Sequence, residues 1–473
     1  MTTPAVQTDK TGTRSRVGPA SSWVTEGSVP LGILRIALPT WGAFFTHDLM
    51  GVVDMFFVGK LGPAAMASVA MGSMVMGILA MVGHGVTAGT TALVANAFGR
   101  GDRADAGRTA AQSVTVVMAL SALVAALGVP LARTAMVLLG AGPEVVPDGA
   151  AYVRVLTGGC FVMMGMMSFG ATLRGAGDAT TPFIAMVLGN VVNVVLDPIF
   201  IFGWFGMPAM GVVGSAWATI IGRSSALLIM VYVFFFDGNA ILRLKVRDLK
   251  PHFQTMIDIL RIGVFASGRM LVRNIAGLLL MRLVAAFGTP TVAAYGIGLR
   301  LRMFVMGPSM GFGTGASTLV GQNLGAGKPE RSAKAAWTAA AMAGGIALFI
   351  TLVFWVAPGR LVAVFNDDPE VIAVGAPFLR WLSATFVFMS LAFVMGHSMT
   401  CAGDTMPPMV ITAMAQLLVT LPLAYWLATS WHSSTGVWVA LCCSQVLEGV
   451  FAASVFLMGR WRAVGARIGR ARA

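Results

Sequence analysis

The stretch LRGAGDATTPFIAMVLGNVVNVVLDPIFIFG, Leu173 to Gly203, decides how the rest of the chain is read. An apolar run starts at Pro182 and holds one acid, Asp197, with Asn190 and Asn193 before it. At about 100° per residue these three positions fall within roughly 60° of one another, on one helix face. A carboxylate in hydrocarbon costs at least about 2.5–3.5 kcal/mol, so such a face turns to a bundle interior or a wet cavity. The plainer alternative is an Asn-Asp cluster that only holds helices together.

The stretch has a second copy. Ala176-Gly177-Asp178 with Pro182 returns as Ala402-Gly403-Asp404 with Pro408, 226 residues on. The same offset carries Leu93-Val94, Gly99 and Gly101 onto Leu319-Val320, Gly325 and Gly327. It also carries Gly51, Gly62 and Gly72 onto Gly277, Gly288 and Gly298. The expected fold is therefore all-α, with twelve transmembrane helices in two six-helix bundles. An even number of spans gives both bundles one orientation, so a pseudo-two-fold axis runs along the membrane normal, as in alternating-access transporters. The expected division is a mobile tail over 1–29, a bundle over 30–240, a basic linker over 241–256, a bundle over 257–460 and a basic tail over 461–473. The linker sequence from Ile241 to Phe253 mixes apolar and basic residues, as a short helix on the membrane surface would; a plain basic linker fits it as well.

Composition points the same way. The chain is 57% hydrophobic and 11% charged, with a mean hydropathy of +0.82, which reads as a polytopic membrane protein. Its net charge of +13 raises nucleic acid as a partner, but the cations alternate between loops. One set of loops and both tails hold 20 Lys and Arg; the other set holds Lys60, Arg133 and Arg360. That asymmetry is a topology signal, and it puts both termini in the cytoplasm of a cell whose inner or plasma membrane the chain spans. The four cysteines lie in or beside apolar runs without metal spacing and read as small packing residues.

Several motifs are longer than composition can explain. VDMFFVGKLGPAAMASVAMG (Val53–Gly72), TALVANAFGRGD (Thr91–Asp102), the Leu173–Gly203 stretch with GVVGSAWAT after it, GIGLRLRMF (Gly296–Phe304) and TLVGQNLGAGKPERSAKAA (Thr318–Ala336) occur in order. Together they make the chain similar to the multidrug and toxic compound extrusion (MATE) family, in particular its DNA-damage-inducible-type branch. The resemblance spans nearly all of residues 33–458. It implies export of amphiphilic, often cationic drugs and toxic compounds, driven by H⁺ or Na⁺. Separately, no cofactor is expected, and the chain is expected to be a monomer.

Acids inside the apolar spans are Asp48, Asp54, Asp197 and Glu448. The repeat partners of Asp54 and Asp197 are Leu280 and Leu423, so acidic chemistry is concentrated in the first bundle. Counting at 1.5 Å per residue from the cytoplasmic ends puts Asp54 and Asp197 at similar depth in the outer half. Two such carboxylates suit a proton, Na⁺ or an organic cation. By resemblance, Asp54 matches a first-helix Asp of the family, and Asn193 and Asp197 match its fifth-helix Asn and Asp, positions implicated in proton coupling. Asn190 joins them from the shared helix face. Asp48, six residues before Asp54, lies about 240° around the helix and points elsewhere. The second bundle lacks the seventh-helix Glu that another branch of the family uses, and reads SGRMLVRN with Arg269 and Arg273 in its place. Glu448 is expected to neutralise one of them.

Two other functions compete with this reading. A lipid-linked saccharide flippase wants a strongly cationic cleft, which Arg269 and Arg273 leave open. An intramembrane enzyme wants a nucleophile–base set or metal ligands; HExxH, GxSxG and P-loop patterns are all missing from the sequence.

Overall fold

The computed structural model describes residues 22–236, 242 and 246–472, and these are helical almost throughout, with no strand among them. Twelve spanning elements follow one another. The first bundle comprises α1 (Val29–Gly59), α2 (Pro63–Gly99), α3 (Arg103–Leu138), α4 (Val146–Gly158 and Cys160–Ala176), α5 (Thr180–Phe202) and α6 (Val212–Phe235). The second comprises α7 (Phe253–Ala285), α8 (Thr289–Gly325), α9 (Pro329–Val356), α10 (Pro369–Ala384 and Phe386–Cys401), α11 (Met406–Trp431) and α12 (Thr435–Leu457). Among the described residues nine single helices are long and apolar enough to cross a membrane, and α4 and α10 qualify as pairs bent by 46° and 44°. The remaining element, α8, is 37 residues long and carries Arg300 and Arg302. Large apolar side chains such as Leu228, Leu278, Phe349 and Trp355 stay exposed around the outside, where lipid replaces water as solvent.

The internal repeat is a structural repeat. The offset of 226 carries the ends of α2 (Pro63, Gly99) onto those of α8 (Thr289, Gly325), and the start of α5's turn, Gly177, onto Gly403. Gly177 and Gly403 both take the left-handed backbone conformation, at φ 99° and 83°, which is why glycine recurs there. The breaks in α4 and α10, at Gly159 and Thr385, are related in the same way.

The two lobes meet through small residues related by the same axis. A Cβ on Gly85 of α2 would stand 2.7 Å from the Gly263 carbonyl of α7; a Cβ on Gly311 of α8 would stand 2.6 Å from the Ala37 carbonyl of α1. Gly99 and Gly325 lie equally close to the backbone of Gln322 and Asn96. All of these contacts fall in the halves of α2 and α8 nearest the termini. At the other end Gly51, Gly77, Gly277 and Gly296 have nothing within 4 Å of a Cβ position. The lobes are closed on the side of the termini.

The sequence reading placed a mobile tail up to residue 29, and the structure differs over its last residues. A helical turn, Ser22–Thr25, packs against both lobes with Val24 1% exposed. Backbone carbonyls of the turn and of Gly27 after it explain the docking: Thr25 accepts from Lys328 Nζ at 3.2 Å, Val24 from Arg331 at 3.3 Å, and Gly27 from Arg331 as well. The basic C-terminal tail is helical over Arg460–Arg472, anchored by Trp461, which stacks on Phe456 and donates to its carbonyl at 2.8 Å. The stretch Ile241–Phe253, read as either a short surface helix or a plain linker, lies partly outside the described residues. The described part holds a 3₁₀ turn, Val246–Leu249, held by Gln112, whose amide donates to the carbonyls of Asp248 (2.9 Å) and Lys250 (2.8 Å).

Candidate functional site

Asp197 stands one turn beyond Asn193 on α5, followed by Pro198. Proline has no N–H, so the helix bond to the carbonyl four residues earlier is lost beside the acid. Across from it on α1 is Asp54, and the two carboxyl groups lie within hydrogen-bonding reach of each other. Asp197 is fully buried, and its Oδ2 has no hydrogen-bond donor among the described residues. Asn193 sits between the acids. Its amide lies 3.5 Å from Asp197 Oδ1; turned over, its nitrogen donates to Asp54 Oδ1 at 3.3 Å and its oxygen accepts from the Thr219 N–H at 3.2 Å. The close crossing of α5 and α6 makes this possible. Gly189 and Gly222 approach so tightly that a Cβ on either would stand 2.6 Å from the other's carbonyl oxygen.

That crossing also brings in two groups that the sequence reading passed over. Arg223 of α6 and Tyr152 of α4 both lie within electrostatic range of Asp54. The sequence carries a signal for Arg223: a cation inside the apolar run of α6 is as costly as an acid there. Tyr152 carried no such signal, because an aromatic in an apolar span is ordinary until its neighbours are known. It is buried, with Ser73 on its hydroxyl.

Asn190 is not at the acid pair. It donates to the Thr46 carbonyl of α1 at 3.1 Å and lines a separate cavity of about 230 Å³ with His47 and Arg223. A shared face separates residues along the helix axis as well as around it, and seven residues span about 10 Å. Asp48 is exposed.

The second lobe holds a different cluster. Arg273 of α7 pairs with Glu448 of α12 at 2.8 Å, and Glu448 is otherwise enclosed. Its oxygens also accept from Thr412 (2.9 Å), Gln416 (3.2 Å) and Gln445 (3.2 Å). Gln416 comes from a π-helical turn, Met414–Thr420, in the middle of α11. The 226-residue repeat carries His47, Asn190 and Gly222 onto Arg273, Gln416 and Glu448, so this cluster fills the position that is a cavity in the first lobe. Arg269 lies over the Phe393 ring at 6.0 Å and Arg302 is nearby; neither has a carboxylate at ion-pair distance among the described residues. Removing one partner of a buried ion pair costs about 3–5 kcal/mol. Glu448→Ala is therefore expected to lower stability by about that amount, and Glu448→Gln by less, as read from thermal unfolding of the detergent-solubilised protein. Equal melting of all three proteins would show that the cluster carries no structural load.

A two-lobed, twelve-span bundle closed at one end, with charged groups buried in each lobe, is the architecture of a secondary transporter. The MatE family model matches the chain twice, at residues 39–199 and 266–426, once in each lobe. The chain belongs to that family, the MATE transporters, and is a multi-pass membrane transporter rather than an enzyme. Over 437 residues it is 28% identical to the probable multidrug resistance protein NorM of Thermotoga maritima, covering 91% of this chain and 92% of that protein. It is 25% identical to multidrug resistance protein PmpM of Pseudomonas aeruginosa (86% and 87% covered) and 25% identical to an FAD transporter of Shewanella oneidensis (89% and 94% covered). Among solved structures it is similar to a MATE transporter in the bent conformation, at TM-score 0.86 and 24% identity over 96% of this chain and 97% of that one. It is also similar in fold to a Pyrococcus furiosus transporter, at TM-score 0.83 and 24% identity over 96% and 97%.

Proposed function

We propose that the protein is an antiporter that exports amphiphilic compounds from the cell in exchange for H⁺, with Asp54 and Asp197 as the coupling pair and Asn193 as their shared hydrogen-bonding partner. The observation that carries this reading is the buried Asp197 Oδ2, which has no donor among the described residues and stands beside a second carboxyl. Two ionised carboxylates in contact repel; one proton shared between them removes the repulsion. Arg223 balances the one charge that remains. A proton entering this pair and a cationic compound leaving compete for the same negative charge, which yields exchange without further machinery. The names of the relatives, multidrug resistance proteins among them, support the substrate class.

The distribution of Lys and Arg supports both termini in the cytoplasm of a plasma-membrane protein. The closed end of the molecule then faces inward, and the pair takes up its proton from the outer side. One chain carries both lobes, and a monomer suffices for the cycle.

Ethidium efflux from proteoliposomes, with a pH gradient and a Na⁺ gradient imposed separately, tests the coupling. The pH gradient alone is expected to drive efflux. Movement under Na⁺ alone would reassign the ion, and no movement under either would turn the reading toward a lipid-linked saccharide flippase.

A further inference from the structure

The turn Ser22–Thr25 leads into α1 and so belongs by connection to the first lobe, but the second lobe holds it. Lys328 and Arg331, at the start of α9, donate to the carbonyls of Thr25, Val24 and Gly27, and Asn323 of α8 donates to Val24 at 3.4 Å. Trp23 packs on the first lobe. A Cβ on Gly32 of α1 would stand 3.4 Å from its ring and a Cβ on Gly177 3.5 Å, and Arg35 lies over the same ring at 5.1 Å. Val24 and Asn323 are buried, so these bonds are made away from water, where losing a partner is most costly. The turn bridges the two lobes at their closed end.

The repeat supplies a second, independent case. The offset of 226 carries 22–25 onto 248–251, which lead into α7 and the second lobe. Here the first lobe does the holding. Gln112 of α3 is buried, donates to the Asp248 and Lys250 carbonyls, and accepts from the His252 N–H at 2.9 Å. Each lobe thus grips the segment that leads into the first helix of the other. The gripping residues are not themselves repeated: the offset relates Arg331 to Asp105 and Gln112 to Thr338. Opening the closed end parts α1 from α8 and α2 from α7. Only Glu26, Gly27 and Ser28 separate Thr25 from α1, so the turn cannot follow α1 and stay on α9.

We propose that the Ser22–Thr25 turn is a latch on the closed end, held by Arg331 and Lys328 and matched by the Gln112 clasp, and that its release is required for the lobes to part there. The latch goes beyond the antiporter reading. It requires that the lobes alternate in access, and it is independent of the coupling ion and of the compound carried.

Cys401 reports on this seam. It is 4% exposed, its sulfur would stand 2.9 Å from a Cβ on Gly321 of α8, and it packs with Val86 and Leu93 of α2. Maleimide labelling is measured on the purified full-length protein with Cys442 and Cys443 replaced by serine, with neither gradient nor compound present. Arg331→Gln is expected to accelerate labelling of Cys401 about tenfold or more, the scale of one charge-assisted hydrogen bond. Arg331→Lys is expected to fall between it and the wild type, and Trp23→Ala to act in the same direction. Adding Gln112→Ala to Arg331→Gln is expected to multiply the effect, since both clasps close one seam. The ethidium concentration for half-maximal uptake into everted vesicles is expected to fall in parallel, because the state open at this end is more populated. Wild-type labelling of Cys401 in Arg331→Gln overturns the proposal. So does equal acceleration at Cys160, inside the first lobe, which would mean a loosened fold in place of an opened seam. Should Arg331→Gln not fold, Trp23→Ala and Gln112→Ala carry the same test, and wild-type labelling in both overturns the latch. Faster labelling of Cys401 alone, in a protein that moves no ethidium under either gradient, refutes the antiporter reading and leaves the latch standing.

Discussion

Asp197→Asn is expected to reduce pH-driven efflux to the leak rate of empty liposomes, in a protein that still folds and still binds substrate. The amide is nearly the same size as the acid and can keep the contact to Asn193, so packing around α5 is preserved. What it loses is the capacity to take up and give back a proton. A charged hydrogen-bonding partner is worth about 1.5–3 kcal/mol, or about tenfold to more than a hundredfold in affinity for the proton at its neighbour. Asp54 would be left titrating alone, beside Arg223, in place of a pair that holds one proton between two oxygens. Asp54→Asn is expected to give the same loss from the other side. The double variant should be no worse than either single one, because the two groups act as a unit and their effects do not add. Initial rates of ethidium efflux under an imposed pH gradient, with binding measured in parallel, check this. Full pH-driven efflux in Asp197→Asn would remove the pair from the coupling mechanism.

The parts of this molecule that sequence makes legible are those where cost forces a pattern. Asp54, Asp197 and Glu448 stand out because charge in hydrocarbon is expensive, and the repeat stands out because Gly177 and Gly403, or Gly62 and Gly288, hold positive φ values that other residues rarely adopt. Arg223, a cation inside an apolar span, is open to the same argument. Other features depend on distance, which spacing along one helix does not supply. Asn190 shares a face with Asp197 and still binds the α1 backbone. Tyr152 reaches the acid pair from α4, and Ser22–Thr25 is held by cations 300 residues away in sequence. The π turn in α11 that brings Gln416 to Glu448 has no signature in its sequence, MAQLLVT, that distinguishes it from an ordinary helix.

Gly311→Leu is expected to open the closed end of the transporter, and Cys401 is a native reporter of that opening. Gly311 and Gly85 are equivalent under the pseudo-two-fold and are the points where α8 meets α1 and α2 meets α7. A side chain at Gly311 would push against the Ala37 carbonyl and against Trp41 Cβ, 3.1 Å away, both on a helix of the opposite lobe. Helix backbone cannot yield as a flexible side chain does, so the strain is relieved by parting the lobes. Overpacking costs about 1–3 kcal/mol, which shifts a two-state equilibrium by about fivefold to more than a hundredfold. Cys401 is 4% exposed and packs in a cluster with Val86 and Leu93 of α2 and Ile259 of α7, against the same interface. Cys160 is buried inside the first lobe and serves as an internal control; Cys442 and Cys443 are more accessible and are replaced by serine. Maleimide labelling of Cys401 is expected to accelerate about tenfold or more in Gly311→Leu, with Cys160 unchanged, while efflux under a pH gradient falls away because the outward-open state is no longer reached. Faster labelling of both cysteines would indicate general unfolding. Protection of Cys401 together with wild-type efflux would mean that these helices do not separate during the cycle, and that alternating access in this protein uses another seam.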